Sequence, residues 1–434
     1  MKKKILDLAI PATIENILQT LVGFIDTFLV AQLGLVVVSA VGLANTLLGV
    51  YLAVFIALGI GATSLIAQKI GANKMEEAIE TAKQATLVSL LIGLFISLIT
   101  LVFSEQLLSI MRTDAQTIPY AKPFLLIVGG GSVFISLMTI FGAILRACGD
   151  TKSPMKMNAI TNVINVVLDF ILIFGFGPIP ALGVIGTALG TLIARIVGSY
   201  LLYRKIVISK VGFKFIDIFK VKNNFKPLIN LSIPAALERL VMRVGQVFYF
   251  GLIYAIGSTT FAAHSIAGTI EGVTYMPAMG LATAATTLVG NAVGKQDYDE
   301  AKQVTALSSK YSFIIMGFTS IIMYFGSPTF AAWFTNDLEA IRQIVIALRI
   351  YCLIMFPLSI SLVMVASLQG MGDTKSPFYS TSIGIWVIRV VGVVLMGQRL
   401  GIAGVWLSIL IDVTLRTIYL TYKFIKNIKE RGRI

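Results

Sequence analysis

The stretch Leu8–Gly34, LAIPATIENILQTLVGFIDTFLVAQLG, decides how the rest of the chain is read. It is long enough to cross a bilayer as a helix, which takes roughly 20 mostly apolar residues. Asp26 stands near its far end. An acid inside a spanning helix costs about 2.5–3.5 kcal/mol on insertion scales, so such acids face a bundle interior or a wet cavity. A second copy of the stretch starts near Leu231 and carries Tyr249 where the first carries Asp26. The chain therefore reads as a duplicated membrane protein that kept this acid in one half only.

The same apolar character runs through all 434 residues, 57% of them hydrophobic and only 13% charged. Charged residues make up about 25% of an ordinary soluble domain, so that class is excluded. The apolar runs do not alternate as the strands of a membrane β-barrel do. Twelve segments are expected, roughly 8–31, 39–67, 85–104, 119–145, 155–175, 183–204, 229–255, 260–290, 305–326, 343–368, 378–397 and 401–423.

The net charge of +14 would suggest nucleic acid, but its placement argues for a membrane. Lys2–Lys4, Lys69, Lys74, Lys83, Arg146, Lys152, Lys156, the stretch 204–226, Lys295, Lys302, Lys375 and the tail from Lys423 to Arg433 fall on one side. The opposite loops hold chiefly Arg112, Arg342 and Arg399. By the positive-inside rule both termini and the central loop are cytoplasmic, which in a bacterium means the inner membrane. Lys2–Lys4 lead almost directly into a helix longer than a signal-peptide core, with no A-x-A site, so no cleavage is expected. Cys148 and Cys352 do not make a disulfide framework, and neither has metal-ligand company. The central VGFKFIDIFKVKNNFK interleaves lysines with aromatics. It could bind anionic lipid or a partner; the plainer reading is a linker lying on the anionic leaflet.

An internal repeat organises the chain. Adding 223 carries Pro11 to Pro234, Glu15 to Glu238, Gly34 to Gly257, Thr63 to Thr286, and Gly71 with Glu77-Ala78 to Gly294 with Glu300-Ala301. Gly149-Asp150-Thr151-Lys152-Ser153-Pro154 recurs unchanged as Gly372 to Pro377. Six segments per half give both copies one orientation, so the halves are parallel repeats about an axis along the membrane normal. The expected fold is an all-α membrane protein of two six-helix lobes, 1–206 and 228–434, joined by a cytoplasmic linker 207–227, with a cavity between the lobes.

With these residues in view the chain resembles the MATE (multidrug and toxic compound extrusion) family of the MOP flippase superfamily over essentially its whole length. The likeness rests on several motifs together. They are the I-P-x-x-x-E pattern near the starts of the first and seventh segments, F-I-D-T at Phe24–Thr27, the G-D-T-K-S-P loops, Asn162, Asn165 and Asp169, and A-A-H-S-I-A at Ala262–Ala267. The resemblance implies a V-shaped pair of lobes. It also implies export of amphipathic, often cationic compounds against inward proton or sodium flow.

The residues argue separately for a coupling site. At about 1.5 Å rise per residue, Asp26 lies roughly 27 Å beyond Leu8, and Asp169 roughly 21 Å beyond Met155. Asn165 is one turn below Asp169 on the same face. Thr187 is four residues into a segment that starts from the outer side, so it reaches a similar depth. Asp26, Asn165, Asp169 and Thr187 also match, one for one, the residue types of the family's first-lobe cation site. Two carboxylates in a poorly solvated site cannot both stay ionised, and they titrate as a coupled unit. The same oxygens could bind Na⁺, so both coupling ions stay open. Apart from that ion no cofactor is implied.

The second half is charged differently. Glu238, Arg239, Arg243 and Gln246 lie in the seventh segment, Glu271 in the eighth, Arg389 in the eleventh, and Asp412 with Arg416 in the twelfth. They read either as a self-neutralising buried network or as a cavity that attracts cationic substrate. Many members of the family's NorM branch carry an acid eight residues after the seventh-segment proline. Met242 stands there in this chain, and Glu238 follows Pro234 by only four. Met276 and Met279 beside Pro277 could line an adaptable cavity, and Pro277 is expected to kink the eighth segment. His264, the single histidine, reads as a hydrogen-bonded structural residue or a pH sensor.

The expected function is a monomeric antiporter of small organic compounds embedded in the lipid bilayer, with no nucleic-acid partner. A flippase for lipid-linked oligosaccharide or lipid is the rival, kept alive by the arginines of the second half. An enzyme is disfavoured, since no Ser/His or metal-ligand grouping is found. A channel fits parallel six-helix repeats less well than alternating access does.

Overall fold

The computed structural model describes residues 1–111, 113–222 and 224–432. Arg112 and Arg433 of the charge pattern and Asn223 of the central loop lie outside the described residues. The first half runs through α1 (Lys2–Ala31), α2 (Leu35–Gly71), α3 (Met75–Ile110), α4 (Ile118–Gly130), α5 (Ser132–Ala147), α6 (Lys152–Phe174) and α7 (Val184–Val207). The second runs through α8 (Lys226–Ile256), α9 (Ser258–Thr274), α10 (Met276–Gly294), α11 (Tyr298–Ala332), α12 (Leu338–Gly370), α13 (Lys375–Leu400) and α14 (Ile402–Arg431). Among the described residues the only β pairing is an isolated bridge between Phe176 and Ile179. Helices are forced by the solvent: in hydrocarbon every backbone N–H and C=O must be satisfied within its own segment.

Ten of these helices are each long and apolar enough to cross a membrane, and α4 with α5 makes an eleventh if the pair, bent by 46°, is one span. The count departs from twelve at the expected segment 260–290. There the chain forms α9 and α10 as two separate helices, divided at Tyr275. Pro277 stands in the first turn of α10. Its ring removes a backbone donor and crowds the preceding turn, so the helical hydrogen bonding is interrupted at Tyr275, where the proline is expected to disturb the segment.

α13 is irregular in another way. Gly384–Arg389 and Val393–Gly397 are wound as π-helix, with wider turns than the flanking helix. π-segments inside α-helices are rare and concentrate at functional or tightly constrained places.

The chain forms two compact units. One comprises Ile14–Ile70 and Lys74–Ser232. Its core holds Leu58, Ile66, Phe141, Ile144, Leu145 and Leu202. The central segment belongs to this unit: Val211, Phe213 and Ile218 are buried, whereas Ile216 and Phe219 point outward. It is clasped to α3, where the Lys222 N–H donates to Glu80 Oε1 at 2.6 Å and Gln84 Nε2 donates to the Lys222 carbonyl at 2.9 Å. The other unit comprises Met1–Thr13, Gly71–Asn73 and the chain from Ile233 onward. Trp406 and Tyr351 are its largest fully buried side chains, and Ile5, Leu8 and Ala9 pack there on Leu281 and Ala284.

Candidate functional site

α6 and α7 pack side by side because α7 offers glycines where α6 comes closest. A side chain at Gly190 would place its Cβ 2.1 Å from Asp169 Oδ1, and one at Gly186 2.3 Å from the Leu172 carbonyl. Position 190 must stay bare for Asp169 to lie against α7. Asp169 is fully buried there, with Asn165 and Thr187 buried beside it on α6 and α7. Asp26 is half-buried on α1, close enough for its charge to act on Asp169. Asp26, Asn165, Asp169 and Thr187 thus all belong to one compact unit.

A fifth residue joins them. Arg195 of α7 is within range of the charges of both Asp26 and Asp169. Its position was legible as an arginine inside an apolar span, since such a charge costs free energy unless it has a partner. Asn165 lies against Asp169 within hydrogen-bonding reach, and among the described residues Asp26 Oδ1, Thr187 Oγ1 and Arg195 Nη1 are buried without a hydrogen-bond partner. Buried polar groups are almost always satisfied, by protein or by water, so this cluster is the unit's candidate site for a polar ligand. Carboxylate and hydroxyl oxygens are hard donors, suited to a proton or an alkali cation more than to a soft metal.

The same unit holds a second polar group nearer the start of its helices. Glu15 accepts from Asn158 Nδ2 at 2.6 Å and from Arg146 Nη1 at 3.2 Å. In the repeat Glu15 is a marker of register; in the structure it ties α1 to α5 and α6.

The other unit gathers its charges around Asp412, which is fully buried on α14. Arg389 of α13 pairs with Asp412 Oδ2 at 2.7 Å, and Arg416 with Asp412 Oδ1 at 3.0 Å. A side chain at Gly384 would place its Cβ 2.3 Å from Asp412 Oδ1, so the first residue of the π-segment makes room for this acid. The Arg389 guanidinium also lies over the Tyr249 ring, 5.4 Å from its centroid, and within range of the Glu271 charge. Glu238 accepts from Thr381 at 3.1 Å and lies within range of Arg239 and Arg416. Arg243 is exposed and Gln246 half-buried on α8. Met276 is buried where α10 begins, while Met279 is 39% exposed.

His264 is buried on α9. Its Nδ1 is buried without a partner. The ring is wedged among Tyr249, Phe250 and Trp406 at centroid distances of 5.9, 5.4 and 5.4 Å. Aromatic packing holds it, since those faces supply no acceptor for Nδ1. Both cysteines are free thiols.

Comparison with known proteins falls on the same two halves. The MatE family description matches residues 11–171 and again 234–395. The chain is 30% identical over 428 residues to the probable multidrug resistance protein NorM of Thermotoga maritima, covering 96% of this chain and 90% of that one. It is 24% identical over 345 residues to the FAD transporter of Shewanella oneidensis, covering 78% of this chain and 75% of that one. Among solved structures it resembles the outward-facing conformation of a multidrug resistance MATE family transporter of the MOP superfamily. The TM-score is 0.92 at 26% identity, with 99% of this chain and 96% of that one covered.

Proposed function

This chain belongs to the MatE family of membrane transporters, and from that premise we propose that it is a secondary antiporter. It exports small organic compounds, often cationic and amphipathic, in exchange for inward H⁺ or Na⁺. The observation that supports this reading is the pair of acids, Asp169 fully buried and Asp26 half-buried, gathered with Asn165 and Thr187 in one unit, with Asp26 Oδ1 and Thr187 Oγ1 unpartnered among the described residues. A site with two acids takes up one cation when open to one face of the membrane and gives it up when open to the other. Inward movement of one charge is worth about 2.3 kcal/mol per 100 mV, which can drive a substrate outward. The basic loops set both termini on the cytoplasmic side of the bacterial inner membrane, where export must begin.

A flippase is the weaker reading. Of the second-half arginines, Arg389 and Arg416 are spent on Asp412, and Arg239 lies beside Glu238. Two relatives bear different cargoes in their names, multidrug for one and FAD for another, so the substrate screen must include cationic dyes and anionic nucleotides.

The test is efflux from everted vesicles with pH and sodium gradients imposed separately. Asp26→Asn is expected to abolish gradient-driven efflux while the protein stays folded and inserted. Wild-type rates in that variant would remove the site from the mechanism.

A further inference from the structure

Two carboxylates, an amide and a hydroxyl could hold either coupling ion, but the site has a positive charge of its own. The charges that Asp26, Asp169 and Arg195 feel most are those of one another. Arginine cannot be deprotonated in a protein, so this cation is permanent. Yet among the described residues no ion pair joins Arg195 to either acid, and its Nη1 lies buried and unbonded. The guanidinium is thus near enough to act on the acids and too far to satisfy them. The unpartnered atoms include donors, on Thr187 and Arg195, as well as acceptors, on Asp26 and Thr187. A bare metal ion would satisfy only the acceptors. Water, with or without an added proton, can satisfy both kinds.

We infer that Arg195 is the resident cation of this site and the residue that sets it against sodium. With the guanidinium in place the two acids present one unbalanced negative charge instead of two. A sodium ion entering among them would meet a fixed like charge in a medium that screens poorly. A proton delivered through water binds covalently to one carboxylate and needs no such cage. Of the two ions left open, the coupling ion is therefore H⁺. This inference rests on the reading of Asp26 and Asp169 as the coupling site, and it deepens that reading.

The experiment uses the purified full chain and its reconstituted vesicles. Thermal stability is titrated with Na⁺ against K⁺ at constant ionic strength, and efflux is driven by the sodium gradient alone. Wild type is expected to show no Na⁺-specific stabilisation and no efflux on a sodium gradient. Arg195→Gln is expected to gain saturable Na⁺-specific stabilisation, with affinity at least about tenfold above wild type, the size of effect one charge a few ångström away produces in a protein interior. Arg195→Lys keeps the charge and is expected to behave as wild type, which a purely structural role for the guanidinium fork would not give. A folded Arg195→Gln without Na⁺ response overturns the inference. If Arg195→Gln does not insert, wild type alone decides: Na⁺ stabilisation that Asp26→Asn removes would overturn it, and its absence alongside proton-driven efflux would support it. Failure of the underlying reading is separate, because it shows as unimpaired efflux in Asp26→Asn itself.

Discussion

The two halves of this chain descend to the same scaffold and then diverge where they carry charge. In the shared part they agree in detail. Asp150 caps Ser153 N at 2.9 Å, and Asp373 caps Ser376 N at 2.9 Å. Glu15 accepts from Asn158, and its counterpart Glu238 accepts from Thr381, the counterpart of Asn158. Past those loops the register tightens by five residues: Gly183 answers to Gly401, with φ of 54° and 58°. The first half spends the extra residues on a turn around Phe176–Ile179, whereas the second passes from α13 to α14 through Gly401 alone.

At this tighter joint the roles of the paired helices are reversed. In the first half the acid Asp169 is on the earlier helix and the bare Gly190 on the later one. In the second half the bare Gly392 is on the earlier helix, facing Ser408 on the later. The acid of that half, Asp412, is again on the later helix, opposite the bare Gly384. Its two arginines hold it in ion pairs, while among the described residues Asp169 is in no ion pair and has Asn165 beside it. One scaffold therefore carries one acid without an ion pair and one acid locked by two arginines.

The largest expected effect comes from removing the acid without an ion pair. Asp169→Asn should reduce gradient-driven efflux to background with little loss of melting temperature, checked by vesicle transport and thermal denaturation side by side. The locked acid should answer the opposite way. Asp412→Asn strips the counter-charge from two buried arginines, which costs about 3–5 kcal/mol. A large fall in melting temperature with unchanged ion dependence is expected; altered ion dependence in a stable variant would erase the contrast. Gly190→Ser imports the second half's residue into the first and should push Asp169 off α7, for about 1–3 kcal/mol of overpacking and a marked loss of efflux. Retained efflux there would show that the fit of Asp169 against α7 does not matter. The smallest effect is expected for Glu238→Gln, a few-fold loss of resistance to cationic dyes with less change for neutral ones. Equal losses for both would assign Glu238 to the scaffold.

Asp26, Asn165, Asp169 and Thr187 were legible because a polar side chain in an apolar span is conspicuous, and counting helical rise puts such residues at comparable depths. Arg195 carried the same signal but lies eight residues beyond Thr187, and depth counted along one helix does not say which way a long side chain reaches back. The break in the eighth segment was legible from Pro277, since a proline disturbs the turn before it.

The sequence alone determined the class of molecule, the repeat and most of the polar residues, because hydrocarbon admits only helices or closed barrels, these apolar runs do not alternate, and unpaired charges there are penalised. The tertiary structure alone decided which acid is ion-paired and which is not. That depends on where bare glycines let two helices touch, and on whether an arginine arrives within reach of a carboxylate or stops short of it.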